Sequence, residues 1–258
     1  MRFTLHLSID KKVYGNALPL SYQYELAGYI YHTLAKGNEE YANWLHENGF
    51  SLEGKQFRLF SFSNLLVDNV GIDTKKGRLL LQSDEAFLQI SFLPERSTEE
   101  FIKGVFSEQV FAIGDVHSRV QFTVRQVQAL PMAEFDGELR GRTLSPMCLS
   151  TKTDEGKLHY YAPNEALAGQ TIVTNLIRKY EAFYQQKYTG STEFEWKCLS
   201  EPKSKLLTMK VGTLQQTKVK AYHCTFLFKA DNELLRIGYE CGLGEKNSMG
   251  FGMVEGEV

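Results

Sequence analysis

The chain closes on Gly238-Tyr-Glu-Cys-Gly242-Leu-Gly244-Glu-Lys246-Asn-Ser-Met-Gly250-Phe-Gly252-Met-Val254, with four glycines in the eleven residues 242–252 around a Lys-Asn-Ser tip. Glycine permits positive φ and lets another backbone approach closely, so such a loop suits phosphate oxygens better than core packing. Two nucleotide-loop motifs fail on spacing. No glycine is followed, four residues on, by Gly-Lys-Ser/Thr, and a dinucleotide fingerprint would need its third glycine where Asn247 stands.

Upstream of this loop the charges are uneven. Between Glu201 and Ala230 lie six lysines, Lys203, Lys205, Lys210, Lys218, Lys220 and Lys229, against the single acid Glu201. Charge alone reads equally well as a solvated sheet face or as a groove for a polyanion; the adjoining glycine loop favours the groove. The overall balance points the other way: the net charge is −2, whereas a nucleic-acid binder is usually basic.

Working outward, periodicity gives an element order. Residues 2–9 alternate Phe3, Leu5, Leu7 and Ile9 with polar side chains, a half-buried strand. A helix is expected over 21–36, stopped at Gly37. A shorter one follows, capped by Asn38, with Glu39 and Glu40 in its first turn and Gly49 at its end. Strands are expected at Phe57–Phe62 and Arg78–Leu93. Ser97 with Glu100 reads as a capping box for a helix through Phe101 and Val105, and Arg119–Gln126 is a further strand. The second half repeats the order: strand-like Leu139–Ser150, a long helix capped by Asn164, strands near 193–199, 205–212 and 217–228, a helix from Asp231, and a last strand near 250–255.

Strand-helix-strand-strand-helix-strand is the split ferredoxin-like unit. The expected fold is therefore α+β, with tandem ferredoxin-like (βαββαβ) domains side by side. The expected division is 1–128 and 129–258, with the join in Ala129–Gly137. Two such sheets leave a cleft between them, a track for a single strand of RNA. At 258 residues, 43% hydrophobic, the chain is long enough for this. No apolar run approaches a membrane span and Met-Arg-Phe-Thr-Leu-His is no signal peptide, so a cytoplasmic location is expected. Cys148, Cys198, Cys224 and Cys241 form no Cys-x-x-Cys pair, and the six histidines show no ligand spacing, which argues against a metal site.

The glycine pattern resembles the C-terminal signature of the repeat-associated RNA-binding superfamily of CRISPR systems, and within it the CRISPR repeat-processing endoribonucleases. In that family a tyrosine on the first helix, a histidine on the short second helix and a lysine before the next strand carry the reaction. The resemblance puts these at Tyr31, His46 and Lys55, with Arg58 the substitute cation, and makes Lys203, Lys205, Lys210, Lys218, Lys220, Gly242, Gly244, Lys246, Gly250 and Gly252 RNA-binding. It implies metal-independent cleavage of precursor CRISPR RNA within repeats: the 2′-hydroxyl attacks the adjacent phosphorus and leaves a 2′,3′-cyclic phosphate and a 5′-hydroxyl. It implies no cofactor, no metal and no membrane partner.

These residue types suit that chemistry. Histidine exchanges a proton near neutrality, and a well-placed acid or base contributes about 10² to 10⁴ in rate. Lysine offsets phosphorane charge. Tyrosine, with an ordinary pKa near 10, fits an orienting donor better than a base. His46 falls in the last turn of its helix, where carbonyl ends favour an imidazolium and hence a general acid. Without the resemblance, His46 is a helix-end surface residue and Tyr31 belongs to an aromatic packing stripe with Tyr22, Tyr24 and Tyr29. Two alternatives stay open: a non-catalytic guide-RNA-binding subunit, whose partners would be other CRISPR effector subunits, and a tandem α+β scaffold that binds no nucleic acid.

Overall fold

The computed structural model describes residues 1–152 and 155–256. Its first half runs β1 (Arg2–Asp10), the single turn α1 (Lys11–Tyr14), β2 (Ala17–Pro19), α2 (Gln23–Gly37) and α3 (Glu39–Glu47). Then come β3 (Phe50–Leu52), β4 (Lys55–Phe57), β5 (Phe60–Phe62), β6 (Val70–Asp73), β7 (Arg78–Leu81), β8 (Glu85–Phe92), α4 (Glu95–Ser107), β9 (Val110–Gly114) and β10 (Arg119–Ala129). The second half runs β11 (Glu138–Thr143), β12 (Ser150–Lys152), β13 (Leu158–Tyr160), α5 (Ala168–Tyr184), β14 (Glu195–Cys198), β15 (Lys203–Met209), β16 (Thr217–His223), β17 (Thr225–Lys229), α6 (Asn232–Cys241), a 3-10 turn at Asn247–Met249 and β18 (Val254–Gly256).

The first sheet is ordered β5-β8-β1-β10-β9 and the second β14-β17-β11-β18. Apart from the added edge strand β9, each places its unit's strands in the order second, third, first, fourth, which is the split βαββαβ arrangement. The fold is thus tandem ferredoxin-like, as expected. The β15–β16 hairpin is an insertion between the second and third strands of the second unit and forms its own two-stranded sheet.

Periodicity explains both cores. In β1, Phe3, Leu5, Leu7 and Ile9 are buried, the last three in one core with Leu26, Ile30 and Leu34 of α2, while Phe226, Phe228, Leu176, Leu234 and Ile237 fill the second core. Each such side chain contributes about 1.5–3 kcal/mol on burial. The halves interlock. Leu59 and Leu93 pack into the second core, Phe50 meets Phe183 edge-on at 5.4 Å, and Arg2 donates to the carbonyls of Val254 at 2.7 Å and Tyr239 at 2.5 Å.

Several expected boundaries move. Asn38 caps α3, its side chain accepting from the Tyr41 amide at 2.9 Å. The Ser97–Glu100 capping box does not form. Helix α4 begins three residues earlier after Pro94, and the Ser97 hydroxyl is 2.5 Å from that of Tyr41. Asn164 is not the cap of α5, which starts at Ala168 after Leu167. Phe57–Phe62 is broken at Leu59, whose φ is +53°, so that β4 returns to β3 and β5 enters the main sheet. Leu139–Ser150 extends only to Thr143, and the last strand starts at Val254 because Gly250–Met253 belong to the loop. Among the described residues no helix is long and apolar enough to cross a membrane.

Candidate active site

Helix α2 ends at Gly37 and α3 begins two residues later, so the two helices fold back on each other. This brings Tyr31 and His46 together, their ring centroids 5.0 Å apart and their planes at 87°. The β3–β4 hairpin and the kink at Leu59 carry Lys55 and Arg58 to the same place. All four line a cleft of about 810 Å³ whose opposite wall comes from the second half: Asn175 and Lys179 of α5, Lys210 at the end of β15, and Gly244 to Met249 of the glycine loop. Lys55, Arg58, Lys210 and Lys246 stand there against the acids Glu25 and Glu245, with Lys179 buried beneath the loop. The chain's small net negative charge therefore conceals a basic furrow.

The Tyr31 hydroxyl is largely enclosed. Burial raises its pKa above the ordinary 10.0, partly offset by hydrogen bonding with Ser248 and by the nearby Arg58 guanidinium. A group in that state stays protonated at neutral pH and donates a hydrogen bond. His46 is exposed in the last turn of α3. Arg58 donates to the His46 backbone carbonyl and, at 3.5 Å, to that of Glu47. The carbonyl end thought to favour a protonated His46 is therefore already met by a guanidinium, and the helix-end argument for an acid role loses its force. Lys55 is exposed at the cleft and free of that structural duty.

The expected RNA-binding residues separate into groups. Lys210, Gly244 and Lys246 line the cleft. Gly242, Gly250 and Gly252 are buried, which corrects the expectation that the glycines suit phosphate rather than packing. A Cβ on Gly252 would stand 2.0 Å from the Leu243 carbonyl oxygen, and one on Gly244 would stand 2.4 Å from that of Cys148; both residues have positive φ, +73° and +72°. The buried Asn247 amide ties the turn together by donating to the carbonyls of Leu243 at 3.2 Å and Phe251 at 3.0 Å. The glycines thus build a compact support, and Lys246 and Ser248 are what it presents.

Lys203, Lys205, Lys218 and Lys220 are exposed on the hairpin but divide between its faces. Lys203 and Lys205 share the side of Leu207 and Met209, which packs on Phe251. Lys218 and Lys220 lie on the opposite side, the latter 5.4 Å from the Tyr222 ring centroid. Lys229 is engaged by Glu138 at 3.7 Å and Glu195 at 3.3 Å. The lysine run is therefore not one continuous face. Of the cleft residues that escaped the sequence reading, two matter most. Ser248 was read only as part of the Lys-Asn-Ser tip, with no role of its own, whereas Lys179 interrupts the apolar stripe of α5, a pattern that could have exposed it.

Comparison with known proteins follows this geometry. The families described as CRISPR-associated protein Cas6, N-terminal, and CRISPR associated protein Cas6, C-terminal, match residues 17–128 and 130–256. The chain is 32% identical to CRISPR-associated endoribonuclease Cas6 1 of Methanocaldococcus jannaschii, over 98% of this chain and 92% of the relative. It is 30% identical to CRISPR-associated endoribonuclease Cas6 of Pyrococcus furiosus, over 100% of this chain and 90% of the relative. A solved structure described as an RAMP protein binding different RNA substrates superposes with a TM-score of 0.80 at 26% identity, covering 100% of both chains.

Proposed function

Since this chain belongs to the Cas6 family of CRISPR-associated endoribonucleases, we propose that it cleaves precursor CRISPR RNA within repeats, using Tyr31, His46 and Lys55 in the cleft between its two ferredoxin-like halves. The observation that carries this reading is the convergence of those three side chains, from α2, α3 and β4, opposite the glycine loop in one basic furrow.

In the proposed reaction the 2′-oxygen upstream of the cut forms a bond to the adjacent phosphorus, and the bond from phosphorus to the 5′-oxygen breaks. The 2′-hydroxyl gives up its proton as the new bond forms, and the leaving 5′-oxygen takes one up. His46 carries out one of these transfers with water as the other partner, Lys55 offsets charge on the non-bridging oxygens, and the protonated Tyr31 hydroxyl orients the phosphate. The products are a 2′,3′-cyclic phosphate and a 5′-hydroxyl. Arg58 is read as the residue that shapes this wall rather than the cation that meets phosphate.

The RNA is taken to leave the cleft across Lys210 and Lys246 toward the hairpin, where Lys218 and Lys220 face outward and Lys203 and Lys205 flank the seam. Gly242, Gly244, Gly250 and Gly252 serve this path by supporting the loop. The reading divides the chain at 128/129 into a unit bearing the reacting groups and a unit gripping RNA. It also puts the enzyme in the cytoplasm with repeat RNA as its partner and other effector subunits as further partners.

The test is incubation of purified protein with repeat RNA in EDTA, beside His46→Ala and beside RNA carrying a 2′-deoxy sugar at the cut. Cleavage by the wild type alone, and only of the all-ribose RNA, is the expected result. Tight binding without cleavage would establish the guide-holding alternative instead.

A further inference from the structure

Helix α5 buries Ile172, Val173, Leu176 and Ala182, and among them Lys179 is only 3% exposed. Lysine is almost never buried to that depth without partners, because removing an ammonium from water is costly. Here the partners are backbone carbonyls of the glycine loop: Nζ donates to Gly242 at 2.6 Å and to Gly244 at 3.1 Å. Gly242 is the C-cap residue of α6, so the ammonium also meets the negative end of that helix. The titratable groups around it are Cys241 and Glu245, and the Glu245 carboxylate is held by the Ser150 hydroxyl at 2.6 Å.

Those two carbonyls bracket Leu243, the residue from which the loop departs. Beyond them the Glu245 amide donates to Cys148 at 2.9 Å, the 3-10 turn closes, and Ser248 arrives at the Tyr31 hydroxyl. The base of the loop is thus pinned by a cation from one helix, much as Arg58 closes the end of α3 on the other wall. We infer that Lys179 is a positioning residue for cleavage: by holding the Gly242 and Gly244 carbonyls it sets where Ser248 meets Tyr31. This rests on the nuclease reading of the cleft. Lys179 itself stays beneath the loop and does not reach the reacting atoms.

Without the ammonium the loop keeps its Asn247 ties and the backbone bonds of Leu243 to Gly252 and of Glu245 to Cys148, but the Gly242 and Gly244 carbonyls lose their shared donor, so Ser248 samples positions away from Tyr31. Misplacement by about 1 Å can cost about 10²-fold in rate. The experiment compares wild type, Lys179→Met, Lys179→Gln, Ser248→Ala and the double variant Lys179→Met with Ser248→Ala. Single-turnover cleavage of repeat RNA, affinity for 2′-deoxy RNA, and amide hydrogen exchange over residues 242–252 are measured.

The expected result is a loss of up to about 10²-fold in Lys179→Met with affinity changed less than about threefold, Lys179→Gln falling between, and faster exchange confined to the loop. Ser248→Ala should then cost less on the Lys179→Met background than alone, the mark of a shared interaction. Unchanged loop exchange, or effects of Lys179→Met and Ser248→Ala that simply multiply, would overturn the inference. If Lys179→Met does not fold, Lys179→Gln carries both measurements. A wild-type chain that binds but never cuts would instead show that the nuclease reading is wrong, and exchange would still report whether Lys179 holds the loop.

Discussion

Arg58 donates its guanidinium to the backbone carbonyl of His46, so a cation beside the Tyr31 hydroxyl also closes the helix that carries the histidine. This separates two cations that look equivalent in sequence. Arg58→Ala should lower cleavage by about 10- to 100-fold through displacement of His46, and lower Tm by a few degrees. Arg58→Lys should recover part of the loss, since both carbonyl bonds come from the single nitrogen Nη2 and an ammonium also carries donors for two acceptors. Lys55→Ala should slow cleavage comparably with no change in Tm. Single-turnover rates and thermal melts on the three variants decide the matter; a Tm loss in Lys55→Ala would undo the distinction.

Tyr31 is enclosed between α2, α3 and the loop, and burial keeps its hydroxyl protonated beyond the ordinary 10.0. Tyr31→Phe should therefore slow cleavage by about 10-fold, as expected for a lost hydrogen bond of about 1.4 kcal/mol in the transition state. The shape of the pH–rate profile between about pH 5 and 9 should not change, because no titration of that hydroxyl falls inside the window. Loss of an alkaline limb in Tyr31→Phe would mean that the tyrosine is the base.

The loop glycines give a prediction about stability. A Cβ at Gly252 meets the Leu243 carbonyl at 2.0 Å with φ +73°, whereas one at Gly54, φ +77°, meets nothing within 4 Å. Gly54→Ala should cost only the backbone strain of about 1 kcal/mol, and Gly252→Ala about 2 kcal/mol or more, because backbone must also move. Chemical denaturation of both variants measures the difference, and equal losses would show that the loop yields freely.

These residues also mark what a sequence can disclose. The alternation of Phe3, Leu5, Leu7 and Ile9 and the stripe Leu26, Ile30, Leu34 depend on local period alone, and both elements form as expected. The Gly-Leu-Gly and Gly-Phe-Gly pairs identify the family, yet not the work each glycine does: Gly242 and Gly252 meet Asn247 and Leu243 within the loop, whereas Gly244 meets Cys148 and Gly250 meets Gln23 and Phe62, all distant in sequence. The capping box at Ser97 failed for the same reason, since Tyr41 of another helix takes the hydroxyl. Lysines 203 to 220 read as one patch because a sequence cannot say that a hairpin turns Lys205 and Lys218 to opposite faces.

That division of the hairpin can be tested directly. Lys218→Glu with Lys220→Glu should weaken repeat binding and reduce the slope of log affinity against log salt by about one unit or more, since each phosphate contact on a single strand contributes about 0.7. The rate of the bound complex should be preserved. Lys210→Ala, at the cleft, should instead slow the bound complex. Equal effects of the two changes on rate would merge what the geometry keeps apart.

The last prediction concerns the seam. His223 lies between halves: its Nδ1 is 3.0 Å from Thr143 Oγ1 and its Nε2 is 3.5 Å from the amide nitrogen of Asn64, whose oxygen accepts from Gln23 at 3.1 Å. Because Gln23 fixes the amide with its nitrogen toward the ring, Nε2 accepts and Nδ1 carries the hydrogen, a neutral imidazole. Burial holds its pKa below the ordinary 6.5; the Thr143 contact opposes this, and Lys205 and Lys203 add to the depression. A base whose folded pKa lies below its unfolded value binds more protons when unfolded, so stability rises with pH across the interval between them. The fold should lose stability as pH falls below about 6.5 and lose it no further once the folded-state pKa is passed. His223→Gln, which keeps a donor and an acceptor but no titration, should flatten this part of the Tm–pH curve. An unchanged slope would assign the acid sensitivity to carboxylates elsewhere in the chain.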